Sequence, residues 1–134
     1  MEFFLLLLFK HAIVDLGMQS QLVGINKGKY FGNGHIHYAH HGIGTFILCA
    51  IWLPVFPTII CAIIDYILHW QIDYCKHKLN NKFNLEYRSK SWWYLNVVDQ
   101  CCHFVSYYWI VIYFSALSFS SVVGYLDNLV LKFL

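Results

Sequence analysis

Four times in this chain, two ionisable residues stand four positions apart within a largely apolar stretch: His11 and Asp15, His37 and His41, His69 and Asp73, Asp99 and His103. On a helix, residues at this spacing share one face. Ionisable groups in apolar helices are costly and face a bundle interior or a watery cavity. A fold that satisfies all four pairs therefore sets helices side by side, with the polar faces turned inward.

Composition says what surrounds such a bundle. Hydrophobic residues make up 59% of the chain and charged residues 12%, against roughly 45–50% and about 25% in soluble domains. A soluble domain of 134 residues cannot hide so many Phe, Tyr, Leu and Ile side chains, whereas a bilayer can. The expected fold is all-α. It is a single domain over 1–134, an integral membrane bundle of about four transmembrane helices. The expected spans are Phe3–Gln21, His35–Leu53, Thr58–Leu79 and Ser91–Leu117, each near the roughly 20 residues a crossing needs. A loop from Leu22 to Gly34 carries Gly24, Gly28 and Gly32 and could cover a site. Pro54 and Pro57 mark a tight connection, Asn80–Lys90 is a polar loop, and Ser91 is a candidate N-cap. The apolar tail, Ser118–Leu134, is expected as an interfacial helix or a short fifth span. The N-terminal run lacks a preceding basic flank and a small-residue cleavage site, so a retained helix is expected there.

Charge placement gives an orientation. Seven of the nine basic residues (Lys27, Lys29, Lys76, Lys78, Lys82, Arg88, Lys90) fall in two loops or beside them. The positive-inside rule puts those loops in the cytoplasm, for a multi-pass protein of the inner membrane. The net charge of +2, without a basic stripe, excludes nucleic acid as a partner. Trp92, Trp93 and Tyr94 read as an interface belt, and Tyr107, Tyr108 and Tyr113 as packing groups. The five cysteines, mostly in apolar runs, read as reduced packing residues.

With alternating helix directions, all four pairs gather toward the cytoplasmic half. His11, Asp15, His37, His41, His69, Asp73, Asp99 and His103 form a borderline-to-hard donor set that suits one or two divalent ions of Zn, Mn, Fe or Ni. Two such ions can activate water and clamp a phosphate during displacement. Asp15, Asp73 and Asp99 are the candidate catalytic carboxylates. Lys27 and Lys76 are either membrane-surface anchors or groups that bind an anionic substrate. His35 and His40 compete with His37 and His41 as ligands.

These residues also carry a resemblance. His11-Ala-Ile-Val-Asp15 with Gln19, Asn26-Lys27-Gly28, His37 and His41, His69-Trp-Gln-Ile-Asp73-Tyr-Cys-Lys76 and Asp99-Gln100-Cys-Cys-His103 together resemble the small bacterial and phage membrane proteins grouped as "domain of unknown function 3307". The family implies no established activity, and its likeness to membrane-bound metal-dependent hydrolases is analogy. The expected function is a membrane-embedded metal-dependent enzyme, a hydrolase of a phosphoester or lipid-linked substrate at the cytoplasmic leaflet. The alternatives are an ion or proton carrier, and a structural or host-interacting phage membrane protein held by a polar interhelical network.

Overall fold

The computed structural model describes residues 2–18, 27 and 29–131, with side chains described to 117. The described residues form four α-helices: α1 Glu2–Ala12, α2 Gly34–Cys49, α3 Val55–Lys82 and α4 Lys90–Leu131. A π-helical segment, Ile13–Met18, prolongs α1. The short α2–α3 and α3–α4 connections make those neighbours antiparallel. α2 and α3 pack most extensively, α4 lies on α3, and α1 closes the ring against α2 and α4.

Helix limits depart from the expected ones for local reasons. Pro57 lies in the first turn of α3, where a missing N–H is tolerated, so that helix begins at Val55 with Pro54 as its cap. Its C-terminal end runs on to Lys82, and the following turn carries Asn84 and Arg88 at positive φ. Ser89, and not Ser91, caps α4: its Oγ accepts from the Trp92 N–H at 3.2 Å. The tail is no separate element, because α4 continues as one helix through Gly124 and Asp127 to Leu131. The expected end of the first helix (19–21) and most of the glycine-bearing loop, with Gln19, Gly24, Asn26 and Gly28, lie outside the described residues.

The four-span membrane bundle is corrected. Among the described residues, one helix, α3, is long and apolar enough to cross a membrane. α1 and α2 have 11 and 16 residues, short of the roughly 20 required. The described part of α4 has the length, but Asn96, Asp99, Gln100 and His103 dilute its apolar character.

Packing follows three layers along the bundle. At one end Leu7, Cys49, Leu53, Cys61, Tyr107 and Ile110 form an apolar cluster. The next layer holds Lys10, Thr45 and Asp65, with the Tyr107 hydroxyl, and the third holds the eight His and Asp residues. All twelve polar side chains are buried or, for Asp15, mostly so. Outward, by contrast, stand Phe9 (67% exposed), Ile47 (59%), Val98 (56%) and Trp109 (61%). Two glycines make room inside. A Cβ on Gly42 would lie 3.0 Å from the Ala62 carbonyl oxygen, so its absence lets α2 approach α3 closely. A Cβ on Gly44 would come within 2.7 Å of Lys10 Cδ.

Candidate metal centre

Each helix brings one pair to the third layer, and α1 does so with help from the π-helical segment. Such segments occur often at functional sites, and this one carries Asp15. Its Oδ2 lies 3.3 Å from His11 Nε2, while its Oδ1 lies 3.1 Å from His37 Nε2 and 3.2 Å from His41 Nε2. Asp73, on α3, is the second hub: its Oδ2 is 3.8 Å from His37 Nε2 and 3.7 Å from His69 Nε2, and its Oδ1 is 3.6 Å from His103 Nε2. Asp99 Oδ1 lies 3.7 Å from the same His103 nitrogen. The His11 and His103 rings are centred 5.0 Å apart, and His69 stacks between His41 and His103 at 3.5 and 4.0 Å.

All eight sequence-predicted ligands thus meet. They form three overlapping groups, each with donor atoms within 4.8 Å of one another: His11, Asp15, His41 and His69; His37, His69 and Asp73; Asp73, Asp99 and His103. Two donors each about 2.1 Å from one cation sit roughly 3–3.5 Å apart, close to the observed spacing. Hydrogen bonding accounts for His41 Nε2 and Asp15 Oδ1 at 3.2 Å, but the approaches of His37, His69 and His103 to Asp73 and of His103 to Asp99, at 3.6 to 3.8 Å, lie beyond the usual N–H···O range of about 2.7–3.2 Å. His37, His69 and His103 are buried and make no hydrogen bond through Nε2 or Nδ1. Even the 3.1 Å approach of His37 to Asp15 is not aligned for one.

The charge states suit a cation as well. Burial pulls His41 down to about 3, and burial likewise lowers His11. Burial pushes Asp15 upward, but the imidazoles of His37 and His41, with Lys27 nearby, outweigh it and hold the carboxyl well below its usual range. Neutral imidazole and ionised carboxylate are the forms that bind metal.

Lys27 and Lys76 stand at the rim. Lys27 Nζ is 2.8 Å from Asp73 Oδ2, and Lys76 Nζ is 2.9 Å from Asp99 Oδ2. Both line a cavity of about 360 Å³ with Asp15, Asp73, Asp99, Asn96 and Gln100. This polar cavity opens directly over the carboxylates. His77 is another of its walls.

Of the helix-two histidines, His37 and His41 face the cluster. His35 turns away to Tyr66, whose hydroxyl lies 2.6 Å from its Nδ1. His40 lines an apolar groove between α1 and α2. Cys49 and Cys61 are buried packing residues, as expected, but Cys75, Cys101 and Cys102 are exposed.

The second layer was largely missed from sequence. Lys10 Nζ donates to Asp65 Oδ2 at 2.6 Å and to the Tyr107 hydroxyl at 3.1 Å, and Thr45 donates to the same Asp65 oxygen at 2.5 Å. The Tyr107 hydroxyl lies 3.0 Å from His11 Nδ1 and 3.3 Å from His41 Nδ1. That oxygen already accepts from Lys10, so with its one remaining lone pair and its O–H it accepts from one ring and donates to the other, an outer contact that fixes tautomer and ring orientation. Tyr107 is therefore more than a packing group. Burial lowers the Lys10 pKa, and the Asp65 carboxylate opposes that shift. A signal existed: Thr45, Asp65 and Tyr107 each stand four residues from a histidine of the cluster, one turn farther along the same face. Gln100, seen only within a motif, places its Oε1 3.1 Å from His11 Nε2.

A helical bundle with a buried His/Asp centre is the class these features define. The chain belongs to the family described as protein of unknown function (DUF3307), whose profile matches residues 3–130. No curated protein and no solved structure matches it.

Proposed function

We propose that this protein is a metal-dependent enzyme, a hydrolase of a phosphoester or lipid-linked phosphoester. The observation that carries the reading is the set of buried imidazoles of His37, His69 and His103. None makes a hydrogen bond, and each is aimed at carboxylates beneath a lysine-rimmed polar cavity. Buried polar groups in native proteins are almost always satisfied. Three buried rings in one layer, facing carboxylates without a hydrogen bond, support a divalent cation as the group they would bind.

The eight ligands suit Zn, Mn, Fe or Ni, and the overlap of the donor groups at His69 and Asp73 supports two ions. When bound, such ions supply Lewis acidity that activates water and stabilises the phosphoryl oxygens. The chain's own residues do the rest. Lys27 and Lys76 hold the anionic head, and Asn96 and Gln100 offer amide donors in the same cavity. Whichever of Asp15, Asp73 and Asp99 is not fully occupied as a ligand takes the proton of the attacking water. The water oxygen joins phosphorus, the bond to the leaving oxygen breaks, and the alcohol departs with a proton.

The apolar exterior and α3 support attachment to a membrane. Lys76, Lys78, Lys82, Arg88 and Lys90 at and beyond its C-terminal part support a cytoplasmic position for that end. An ion or proton carrier is disfavoured by the apolar cluster around Leu7, Leu53 and Ile110, which closes the bundle below the site.

Metal content of the purified protein, measured by elemental analysis beside a His69→Ala/Asp73→Ala variant, tests the proposal together with turnover of 4-nitrophenyl phosphate. Metal and turnover in the parent, with loss of both in the variant, are expected. Absence of metal after expression with Zn, Mn, Fe and Ni each supplied, and a variant that loses only thermal stability, would make the polar network the better account.

A further inference from the structure

The polar cavity does not end at its polar walls. Between α3 and α4 lies an apolar groove of about 300 Å³, walled by Ile72, Cys75, Leu79, Val98 and Cys102. Lys76, Leu95 and Asp99 line both spaces. Two other apolar grooves, between α1 and α2 and between α2 and α3, share no lining residue with the polar cavity. The α3–α4 groove is thus set apart by its junction with the site and not by its apolarity.

Lys76 makes that junction chemically two-sided. Its ammonium is held by Asp99 on the cavity side, and its methylene stem is one wall of the groove. Long lysine side chains commonly divide in this way between apolar and charged surroundings. A ligand that satisfies both spaces has an anionic head beside the lysines and carboxylate-held cations. It also has an alkyl chain leading away between α3 and α4. We infer that the protein binds an amphiphile of this kind, an alkyl or acyl phosphoester, with its phosphate in the polar cavity and its chain in the α3–α4 groove. The inference rests on the hydrolase reading for the identity of the head, and adds a chain site with its own residues.

Three cysteines supply the test. Cys75 and Cys102 line the groove and are exposed, whereas Cys101 is exposed and does not line it. Alkylation by N-ethylmaleimide, followed residue by residue by mass spectrometry, reports occupancy in the metal-loaded protein in a neutral detergent. Dodecyl phosphate at low mole fraction is expected to slow Cys75 and Cys102 at least fivefold and to leave Cys101 unchanged. Inorganic phosphate alone should protect neither, and Lys76→Gln should lose most of the protection.

Equal protection by dodecanol would show a groove indifferent to the head and would overturn the inference. So would equal slowing of all three cysteines, or protection of none. Turnover of 4-nitrophenyl phosphate separates the two readings. Turnover without cysteine protection removes the chain site alone; protection without turnover removes the hydrolase and supports the amphiphile site. Short of saturation, each added methylene should tighten protection about fourfold, the equivalent of about 0.8 kcal/mol.

Discussion

Two buried polar layers lie one helical turn apart in this bundle, and they are finished differently. In the layer of Lys10, Thr45, Asp65 and Tyr107, each donor has an acceptor; among its described groups only Asp65 Oδ1 is left over. In the layer of the eight candidate ligands, His37, His69 and His103 are left without a hydrogen bond on either nitrogen. Both layers cost desolvation, so burial alone does not separate them. Satisfaction does. A layer closed by its own hydrogen bonds holds helices together. A layer in which three imidazoles face carboxylates without a hydrogen bond is where the proposed cation would bind.

The largest way to break this contrast is Asp73→Asn. It keeps the size of the side chain and removes the carboxylate faced by His37, His69, His103 and Lys27. Loss of outer partners of metal ligands costs about 10–100-fold, so loss of this hub should weaken metal binding more than about 100-fold and abolish turnover. Circular dichroism should show the helices intact. Retained metal with a falling melting temperature would make the two layers alike.

Next in size is Asp65→Asn, which attacks the closed layer. It leaves the buried Lys10 ammonium without its counter-ion, a situation that costs about 3–5 kcal/mol. Replacing both partners, as Lys10→Met with Asp65→Leu, should restore most of that loss, because an apolar pair of similar volume avoids both desolvation costs. Denaturant unfolding of the metal-free protein measures the difference. A double variant as unstable as the single one would place the effect in packing.

The contrast also explains what was legible beforehand. The convergence of the eight His and Asp residues was legible because ionisable residues four apart in apolar runs are expensive, and periodicity alone put them on inward faces. Lys10 and Asp65 are equally expensive but stand on different helices, so no spacing within one helix revealed their pairing. Tyr107 looked like one aromatic among many, since only the fold brings its hydroxyl to His11 and His41. The number of membrane crossings was overread because apolar composition was equated with span length. α1 and α2 are apolar outward yet too short, and their outward side chains are what the composition recorded. The π-helical segment that carries Asp15 left no mark in the periodicity.

A smaller effect sharpens the link between the layers. Tyr107→Phe removes one hydroxyl, which touches His11, His41 and Lys10. Metal affinity should fall about 10–100-fold as the two rings lose their orienting contact. Stability of the metal-free protein should fall by only about 1 kcal/mol. Isothermal titration with Zn measures the first and denaturant unfolding the second. An unchanged affinity would leave Tyr107 to the closed layer alone.

The smallest expected effect is the acid sensitivity of the metal-free protein, and its sign follows from burial. In the unfolded chain His11 and His41 each take a proton near pH 6.5. In the folded protein His41 does so only near 3, and His11 below its ordinary value. Between those limits the unfolded state holds more protons, so stability rises with pH and is lost as pH falls below about 6.5. Each group contributes at most about 1.4 kcal/mol per pH unit. Asp15 acts in the same sense at lower pH, since its folded carboxyl stays ionised where the unfolded one, near 3.9, takes a proton. Unfolding free energies measured between about pH 7 and pH 5 should therefore slope downward toward acid. His41→Gln should flatten the slope by up to the share of one group, while Thr45→Val, in the closed layer, should lower stability without changing the slope. If His41→Gln leaves the slope untouched, the acid loss belongs to other groups, and the charge-state difference between the two layers falls with it.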